Sequence, residues 1–393
     1  MKFVVVIVDG AAGWPFEAFG GRTYLEAART PHLDRLVREG TVRLVHTVPA
    51  GMEPSSAVAC MSVLGFDPAA YYAGRGPIEA LALSIELEPG EVALRCNLVT
   101  VLDGVMRSYA AGHISSEESH PLIDALQGEL GNGRIRFHPG VGFRHILTVR
   151  NGAQLVEAEC TPPHDIADRP VKRFLPKGPG SDLLLALMER SRQILAEHPV
   201  NREREARGAL PANQIWPFWP GLQPGRMPSF YQVFGRRAAL TTAVDLLRGL
   251  ARQISIDLLD PPGVTDGLDN DFQGQMAAAL ASLAAHDVVV AHVEAPDEAA
   301  HSGDADGKVR AIELVDGLML SQLADAGEEL RLLVLPDHPT PLAIRTHVAE
   351  PVPFLLWGPG FPANGARRFT EAEAARTGLV IRPGHNLLGR FLA

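Results

Sequence analysis

Short segments that are almost entirely apolar recur near both ends of the chain, and the first three of them end in a polar loop. They lie at residues 3–8, 288–293, 332–335 and 354–357. Continuous apolar runs of this length are typical of strands that are covered by helices on both faces of a sheet. Stretches rich in Ala and Leu at residues 238–250, 275–284 and 309–323 predict helices between them. This alternation predicts a doubly wound α/β domain.

The middle of the chain has a different pattern. Between residues 86 and 178, short strands such as 92–101 and 143–149 are interrupted by Gly and Pro. Residues 164–180 are rich in proline and predict a returning loop, which a helix at 182–197 follows. We therefore expect a smaller α+β domain at residues 86–178, inserted into a main domain of residues 1–85 and 179–393.

Composition narrows the class of protein. A chain of 393 residues favours two domains, and its formal net charge of -10 argues against nucleic acid as a partner. Three scattered cysteines are too few for a disulfide framework and indicate a reducing compartment. The apolar run at residues 3–8 is too short for a signal peptide, and no stretch is long enough to span a bilayer. We expect a cytoplasmic protein without a membrane partner, and the oligomeric state stays open.

Acidic residues follow three of the predicted strands directly. They are Asp9, Asp297 and Asp337. Because ligands of open α/β sheets bind at the carboxyl ends of the strands, acids from distant parts of the chain can converge there. Any one of these acids alone is better explained by a helix cap or a solvated loop. Together they predict a metal site.

Histidines accompany these acids. His301 lies four residues after Asp297, so the two share one face of a helix, and His338 is adjacent to Asp337. His347 lies in a third loop. Mixed carboxylate and imidazole ligands suit Mn²⁺ or Zn²⁺, with Mg²⁺ possible where oxygen ligands dominate.

A candidate nucleophile lies in a serine pair at a predicted helix start. Pro54 precedes the pair, Ser55 would cap the helix, Ser56 would lie in its first turn, and Gly65 would end it. A serine there lies at the positive end of the helix and can be activated by a metal ion. The same segment also fits an ordinary capped helix. The neighbouring ligands favour the nucleophile.

Several segments together resemble the archaeal-type cofactor-independent phosphoglycerate mutases of the alkaline phosphatase superfamily. The matching segments are VIVDG (6–10), SVLGFDP (62–68), YYAGRGP (71–77), RCN (95–97), HPVN (198–201), PAN (211–213), HVEAPDEAAH (292–301) and DH (337–338). The resemblance covers nearly the whole chain. It implies an alkaline phosphatase-like sheet and an interconversion of 3-phosphoglycerate and 2-phosphoglycerate.

The resemblance also implies site residues and cofactors. One of two divalent metal ions would be held by Asp297, His301 and His347. The other would be held by Asp9, Ser56, Asp337 and His338. Mn²⁺ is the first choice, with Mg²⁺, Zn²⁺ and Co²⁺ as alternatives, and Ser56 would be phosphorylated transiently. The candidates for binding the small phosphorylated substrate are Arg75, Arg95, Arg144 and His164.

The chain departs from the family pattern in two places. Ala57 and Cys60 stand where an acidic residue and a histidine or asparagine are usual, and residues 108–113 lack the usual arginines. Two alternatives therefore stay open. The first is a metal-dependent phosphotransferase or phosphatase that acts on another hydroxylated substrate, such as homoserine. The second is a metal-binding homologue without catalysis.

Overall fold

The computed structural model describes residues 1–222, 227–323 and 329–393. Internal contacts divide the chain into two compact units. Unit 1 consists of residues 1–72 and 226–393, and unit 2 of residues 73–225. Each unit has its own sheet and its own hydrophobic core.

The described part of unit 1 is built on a mixed eight-stranded sheet, in the order β13-β2-β12-β11-β1-β10-β8-β9. Its strands are β1 (Lys2–Val8), β2 (Thr41–Val45), β8 (Ala238–Thr241), β9 (Asp257–Leu259), β10 (Val288–Val293), β11 (Leu330–Leu335), β12 (Val352–Trp357) and β13 (Val380–Ile381). The central strand β1 is parallel to both neighbours, since Val5 pairs with Val290 on β10 and with Leu333 on β11. β12 runs antiparallel to β11 and β2.

Helices accompany this sheet along the chain. They are α1 (Tyr24–Ala27), α2 (Pro31–Glu39), α3 (Ser56–Val63), α4 (Pro68–Tyr71), α9 (Phe230–Phe234), α10 (Asp245–Gln253), α11 (Phe272–Ser282), α12 (Ala295–Ser302), α13 (Ala305–Leu314), α14 (Glu371–Arg376) and α15 (Asn386–Leu392). Residues 3–8 of β1 are buried at every position, as their continuous apolar pattern predicts. The α/β class predicted from the sequence is confirmed.

Unit 2 contains an antiparallel sheet, five-stranded over its described residues. Its strands are β3 (Val92–Leu102), β4 (Val105–Ser108), β5 (Ile135–His138), β6 (Arg144–Val149) and β7 (Gln214–Leu222). Its helices are α5 (Arg75–Ala82), α6 (Ser116–Leu130), α7 (Ser181–Ala196) and α8 (Pro199–Ala206). The long strand β3 pairs with β4, β6 and β7, and therefore holds the unit together.

Unit 2 extends beyond the insert that the sequence pattern places at residues 86–178. On the N-terminal side, α5 packs against β3 and β7. On the C-terminal side, α7 packs against β7, and β7 pairs with β3 over most of its length. The unit begins at residue 73 and ends at residue 225. These bounds depend on pairing between strands more than 100 residues apart, so the local sequence gave no sign of them.

One predicted helix is wrong in its first part. Residues 238–241 form β8, which is parallel to β10, and the helix α10 begins only at Asp245. The sequence Ala-Ala-Leu-Thr has a fair helix propensity, but pairing with a buried strand outweighs it. Among the described residues, no helix combines the length and the apolar character that a membrane crossing needs.

Candidate metal centre

Three parallel strands deliver the acidic residues to one edge of the unit 1 sheet. Asp9 directly follows β1, Asp297 lies in the first turn of α12 after β10, and Asp337 follows β11. β1 lies between β10 and β11, so the carboxyl ends of all three strands are neighbours. All three acids are buried, at 0–2% exposure. Buried carboxylates of this kind require partners.

The first group of ligand atoms is formed by Asp297, His301 and His347. Asp297 Oδ2 lies 3.0 Å from His301 Nε2 and 3.4 Å from His347 Nε2. The two histidine Nε2 atoms are 2.9 Å apart. His301 Nδ1 donates to the carbonyl oxygen of Arg345 at 2.9 Å, which directs its Nε2 atom towards the group. The structure thus brings together the three residues predicted for one metal.

The second group is formed by Asp9, Ser56, Asp337 and His338. His338 Nε2 lies 3.5 Å from Asp9 Oδ1, 3.2 Å from Asp337 Oδ2 and 3.2 Å from Ser56 Oγ. Asp337 Oδ1 accepts hydrogen bonds from the backbone N–H groups of Gly10 and His338. The four residues predicted for the other metal are therefore also neighbours. The rings of His338 and His347 are 4.0 Å apart and bring the two groups side by side.

The serine pair has the predicted local structure. Ser55 is the N-cap of α3, and its side chain accepts a hydrogen bond from Val58 N. Ser56 is the first residue of the helix, and its hydroxyl points to His338. Because Ser55 provides the cap, the Ser56 hydroxyl is left for the second group. α3 ends at Val63, and Gly65 beyond it has φ +84°.

Three side chains at the centre were not predicted from the sequence. His292 Nε2 lies 2.8 Å from Asp9 Oδ2, Cys60 Sγ donates to Asp337 Oδ2 at 3.4 Å, and Thr340 Oγ1 lies 2.5 Å from Asp297 Oδ1. His292 is the one ionisable residue in the run VVVAHV of β10, and that break in an apolar pattern was the available signal. Its place beside Asp9 depends on the register that pairs it with Ile7.

The second group is electrostatically costly without a cation. Burial and the charge of Asp337 raise the pKa of Asp9 well above its usual range. Burial and the charge of Asp297 raise the pKa of the neighbouring Glu294 to about 8. Burial lowers the pKa of His338 to about 4, so its ring is neutral at pH 7. The protein therefore supplies several acceptors and little positive charge here.

The first group behaves differently. Burial by itself raises the pKa of Asp297, but hydrogen bonds with His301 and His347 outweigh it and hold this pKa well below its usual range. The bond to Asp297 raises the pKa of His301 to about 9, although burial opposes the shift. Without a metal ion, a proton on His301 thus compensates the charge of Asp297. A divalent cation would take the place of that proton.

The donor atoms fit divalent metal ions. Atoms of Asp9, Asp337 and His338, and likewise of Asp297, His338 and His347, all lie within 4.8 Å of one another. A third such group consists of Asp9, Cys60 and His292. Carboxylate and imidazole together are typical of Mn²⁺, Zn²⁺ and related ions. Asp9 Oδ1 and Glu294 Oε2 are buried without an N–H or hydroxyl donor, so a cation or a proton shared between the two carboxyl groups must satisfy them.

The predicted substrate-binding residues all lie in unit 2. Glu79 joins two of them: its carboxylate accepts from Arg75 Nε at 2.7 Å and also bonds Arg95 Nη1. Arg75 stacks over the ring of Trp219, 3.9 Å from its centre. Burial is the main cause that lowers the pKa of Arg95, and the positive charge of Arg144 lowers it further. The remaining candidate, His164, makes edge contacts with the rings of Tyr109, Phe218 and Trp219.

Comparison with known proteins gives consistent results over the whole chain. The family model of 2,3-bisphosphoglycerate-independent phosphoglycerate mutase matches residues 38–201. A protein of that name from Methanothrix thermoacetophila is 46% identical, with 100% of both chains covered. A probable one from Geobacter sulfurreducens is 42% identical, again with 100% of both chains covered.

Solved structures that are similar to this chain include the following two. One is a protein from Pyrococcus horikoshii, with a TM-score of 0.82 and 26% identity over 100% of this chain and 96% of that one. The other is the cofactor-independent phosphoglycerate mutase from Thermoplasma acidophilum, with a TM-score of 0.67 and 27% identity over 100% of both chains.

The fold and the two ligand groups define an α/β protein with a candidate metal centre at the carboxyl edge of its sheet. At 46% identity over its full length, the chain belongs to the family of 2,3-bisphosphoglycerate-independent phosphoglycerate mutases. The sequence motifs predicted this family, in its archaeal-type branch within the alkaline phosphatase superfamily. That prediction is confirmed.

Proposed function

We propose that this chain interconverts 3-phosphoglycerate and 2-phosphoglycerate through a phosphoserine at Ser56, with two divalent metal ions. The observation that carries the proposal is the position of the Ser56 hydroxyl. It lies 3.2 Å from His338 Nε2, within a group of ligand atoms and at the start of α3. A hydroxyl in this position is well placed for nucleophilic attack.

Seven residues would hold the metal ions. Asp297, His301 and His347 would bind one ion, and Asp9, Ser56, Asp337 and His338 the other. Mn²⁺ is our first choice, because the ligands combine carboxylates and imidazoles. When bound, the ions lower the pKa of the Ser56 hydroxyl and neutralise charge on the phosphoryl oxygens. Glycerate would stay bound between the two transfers.

Ser56 performs the transfer in two steps. Its hydroxyl loses its proton and attacks the phosphorus in line, the bond from phosphorus to the substrate oxygen breaks, and that oxygen takes up a proton as glycerate forms. The other hydroxyl of glycerate then loses its proton and attacks the phosphoserine, and the released Ser56 oxygen takes up a proton. The site must be closed during this exchange, because water would otherwise hydrolyse the phosphoserine.

The carboxylate of the substrate needs a cationic partner. We propose Arg75, Arg95, Arg144 and His164 for this role. Arg75 and Arg95 share the single carboxylate of Glu79, and Arg144 adds a further positive charge near Arg95, so this part of unit 2 carries an excess of positive charge. Such an excess suits a small anion. Three free cysteines and the absence of a membrane-crossing helix among the described residues are compatible with our proposal of a cytoplasmic enzyme.

An enolase-coupled assay with 3-phosphoglycerate, run with and without added Mn²⁺, tests the proposal. We expect metal-dependent turnover, and mass spectrometry of enzyme quenched during turnover should find phosphate on Ser56. The missing arginines at residues 108–113 favour one competitor, a phosphotransferase with another acceptor. Parallel assays of phosphate release and of homoserine phosphorylation decide between them. Efficient homoserine phosphorylation without mutase turnover would overturn the proposed substrate.

A further inference from the structure

The hydroxyl group of Thr340 connects the two ligand groups. Thr340 lies on the loop after β11 and is fully buried. Its Oγ1 atom is 2.5 Å from Asp297 Oδ1, in the first group, and 3.2 Å from His338 Nδ1, in the second. One side chain outside the seven proposed ligands thus contacts a ligand of each metal ion.

The directions of these two hydrogen bonds follow from the number of protons. A threonine hydroxyl has one proton to donate and can also accept. The Asp297 carboxylate is ionised and can only accept, so the hydroxyl donates to Asp297. Thr340 Oγ1 must then accept from His338, and His338 Nδ1 carries the proton. In the neutral ring, His338 Nε2 consequently has a free lone pair.

That lone pair faces the Ser56 hydroxyl, 3.2 Å away, which can donate to it. His338 Nε2 also lies 3.2 Å from Asp337 Oδ2 and 3.5 Å from Asp9 Oδ1. Only in this tautomer does the ring offer a cation placed among these atoms a nitrogen lone pair. The hydroxyl of Thr340 therefore determines which nitrogen of His338 is presented to a cation and to Ser56.

Lys308 holds Thr340 in place. The side chain of Lys308 is fully buried, and its Nζ atom donates to the carbonyl oxygens of Thr340 at 2.8 Å and of Ala12 at 3.0 Å. Ala12 lies on the loop that carries Asp9. Lys308 Nζ also lies 4.2 Å from the centre of the Tyr24 ring. Lys308 thus fixes the loops of both groups to each other.

We propose that Thr340 is a positioning residue that couples the two metal sites, by orienting Asp297 and by fixing the Nδ1–H tautomer of His338. This inference rests on the proposed two-metal function. Partners that orient metal ligands in this way typically change metal affinity by about 10- to 100-fold when they are removed. The methyl group of Thr340 takes no part in either hydrogen bond, so a serine should serve as well.

The test compares Thr340→Val, which keeps the shape and removes the hydroxyl, with Thr340→Ser, which keeps the hydroxyl. Calorimetric titration with Mn²⁺ should give an affinity about 10- to 100-fold lower for Thr340→Val. Thr340→Ser should bind Mn²⁺ with nearly the same affinity as the parent protein. Long-range ¹H–¹⁵N spectra of metal-free protein should show the Nδ1–H tautomer of His338 in the parent and in Thr340→Ser, and its loss in Thr340→Val. A His338→Gln variant assigns the signal.

The affinity and the tautomer test the role of Thr340 separately. Unchanged affinity and tautomer in Thr340→Val would overturn the coupling role. If the parent protein binds none of Mn²⁺, Mg²⁺, Zn²⁺ and Co²⁺, the proposed function fails, but the tautomer in metal-free protein still tests the inference. If Thr340→Val does not fold, Thr340→Ala takes its place. Should neither fold, an Nε2–H tautomer in the parent protein alone would overturn the inference.

Discussion

Adjacent serines at the start of α3 have separate tasks: Ser55 accepts the capping hydrogen bond from Val58 N, and Ser56 points to His338. We expect Ser56→Ala to abolish mutase turnover and phosphate incorporation, since the covalent step is lost. The Ser56→Ala variant should keep its fold, because Ala is a good helix former and Ser55 still caps the helix.

The matched control is Ser55→Ala. It should lower the free energy of unfolding by about 1 kcal/mol and leave the nucleophile in place. Both variants are compared by coupled assay and urea denaturation. If Ser55→Ala removes phosphate incorporation while Ser56→Ala does not, the nucleophile is the other serine.

Glu79 offers a prediction about stability and pH. Burial by itself raises the pKa of this carboxyl group, but Arg95 and Arg75 outweigh it and lower the pKa from 4.5 to about 2. A shift of this size corresponds to about 3 kcal/mol. Because the folded pKa is the lower one, this stabilisation is fully present above pH 4.5 and is lost as the pH falls towards 2.

We therefore expect Glu79→Gln to destabilise unit 2 at pH 7. The difference from the parent protein should narrow as the pH falls below 4.5, as measured by urea unfolding at a series of pH values. Glu88→Gln is the control, because the exposed pair of Glu88 with Arg150 should contribute little. A difference that grows towards low pH would contradict the ion-pair explanation.

At the level of elements, the loop after β1 passes very close to α12. Gly10 has φ +60°, and a Cβ atom there would lie 2.3 Å from Asp297 Oδ1 and 2.7 Å from Thr340 Oγ1. We expect Gly10→Ala to weaken Mn²⁺ binding strongly, because Asp297 must move. Backbone strain adds a stability cost of about 1–2 kcal/mol.

Gly20→Ala separates the two effects. Gly20 has a similar φ of +67°, but a Cβ atom added there would have no neighbouring atom within 4 Å. Its variant should therefore show the strain in thermal unfolding while its Mn²⁺ affinity, measured by calorimetry, stays unchanged. Equal Mn²⁺ affinities of Gly10→Ala and Gly20→Ala would show that the close contact of Gly10 with Asp297 has no effect on metal binding.

Elements with a strong local pattern could be predicted, and those that depend on distant partners could not. The strand at residues 288–293 has the predicted bounds, because its continuous apolar run is itself the signal of burial. Residues 238–241 became a strand only through pairing with β10. At the site, acids that follow strands were visible in the sequence. Thr340 was not, because its role depends on where two loops meet.

For the whole molecule, the seven proposed ligands belong to unit 1 alone. We expect Mn²⁺ to slow hydrogen exchange in the loops that carry Asp9, Asp297 and His338, because a ligand that binds only the folded state stabilises it. Peptides from β3 and β6 in unit 2 should exchange at unchanged rates. Mass spectrometry of chelator-treated and Mn²⁺-loaded protein measures both. Equal protection in all peptides would contradict the assignment of the ligands.

The division into units also limits what the sequence can tell about domains. Residues 73–85 and 179–222 carry helix and strand patterns that would suit either unit. Their membership is decided by the packing of α5 on β3 and by the pairing of β7 with β3. Both depend on contacts across long sequence separations, for which composition gives no signal.

The discontinuity of unit 1 has a consequence for synthesis on the ribosome. β1 is synthesised long before its two sheet partners, since β1 ends at Val8 and β10 and β11 begin only at residues 288 and 330. At about 5–20 residues per second, this apolar strand waits for tens of seconds before it can pair. The continuous segment 73–225 can meanwhile fold on its own contacts. The nascent chain therefore exposes an unpaired apolar strand until β10 and β11 have been synthesised, which makes β1 the natural point of contact for chaperones.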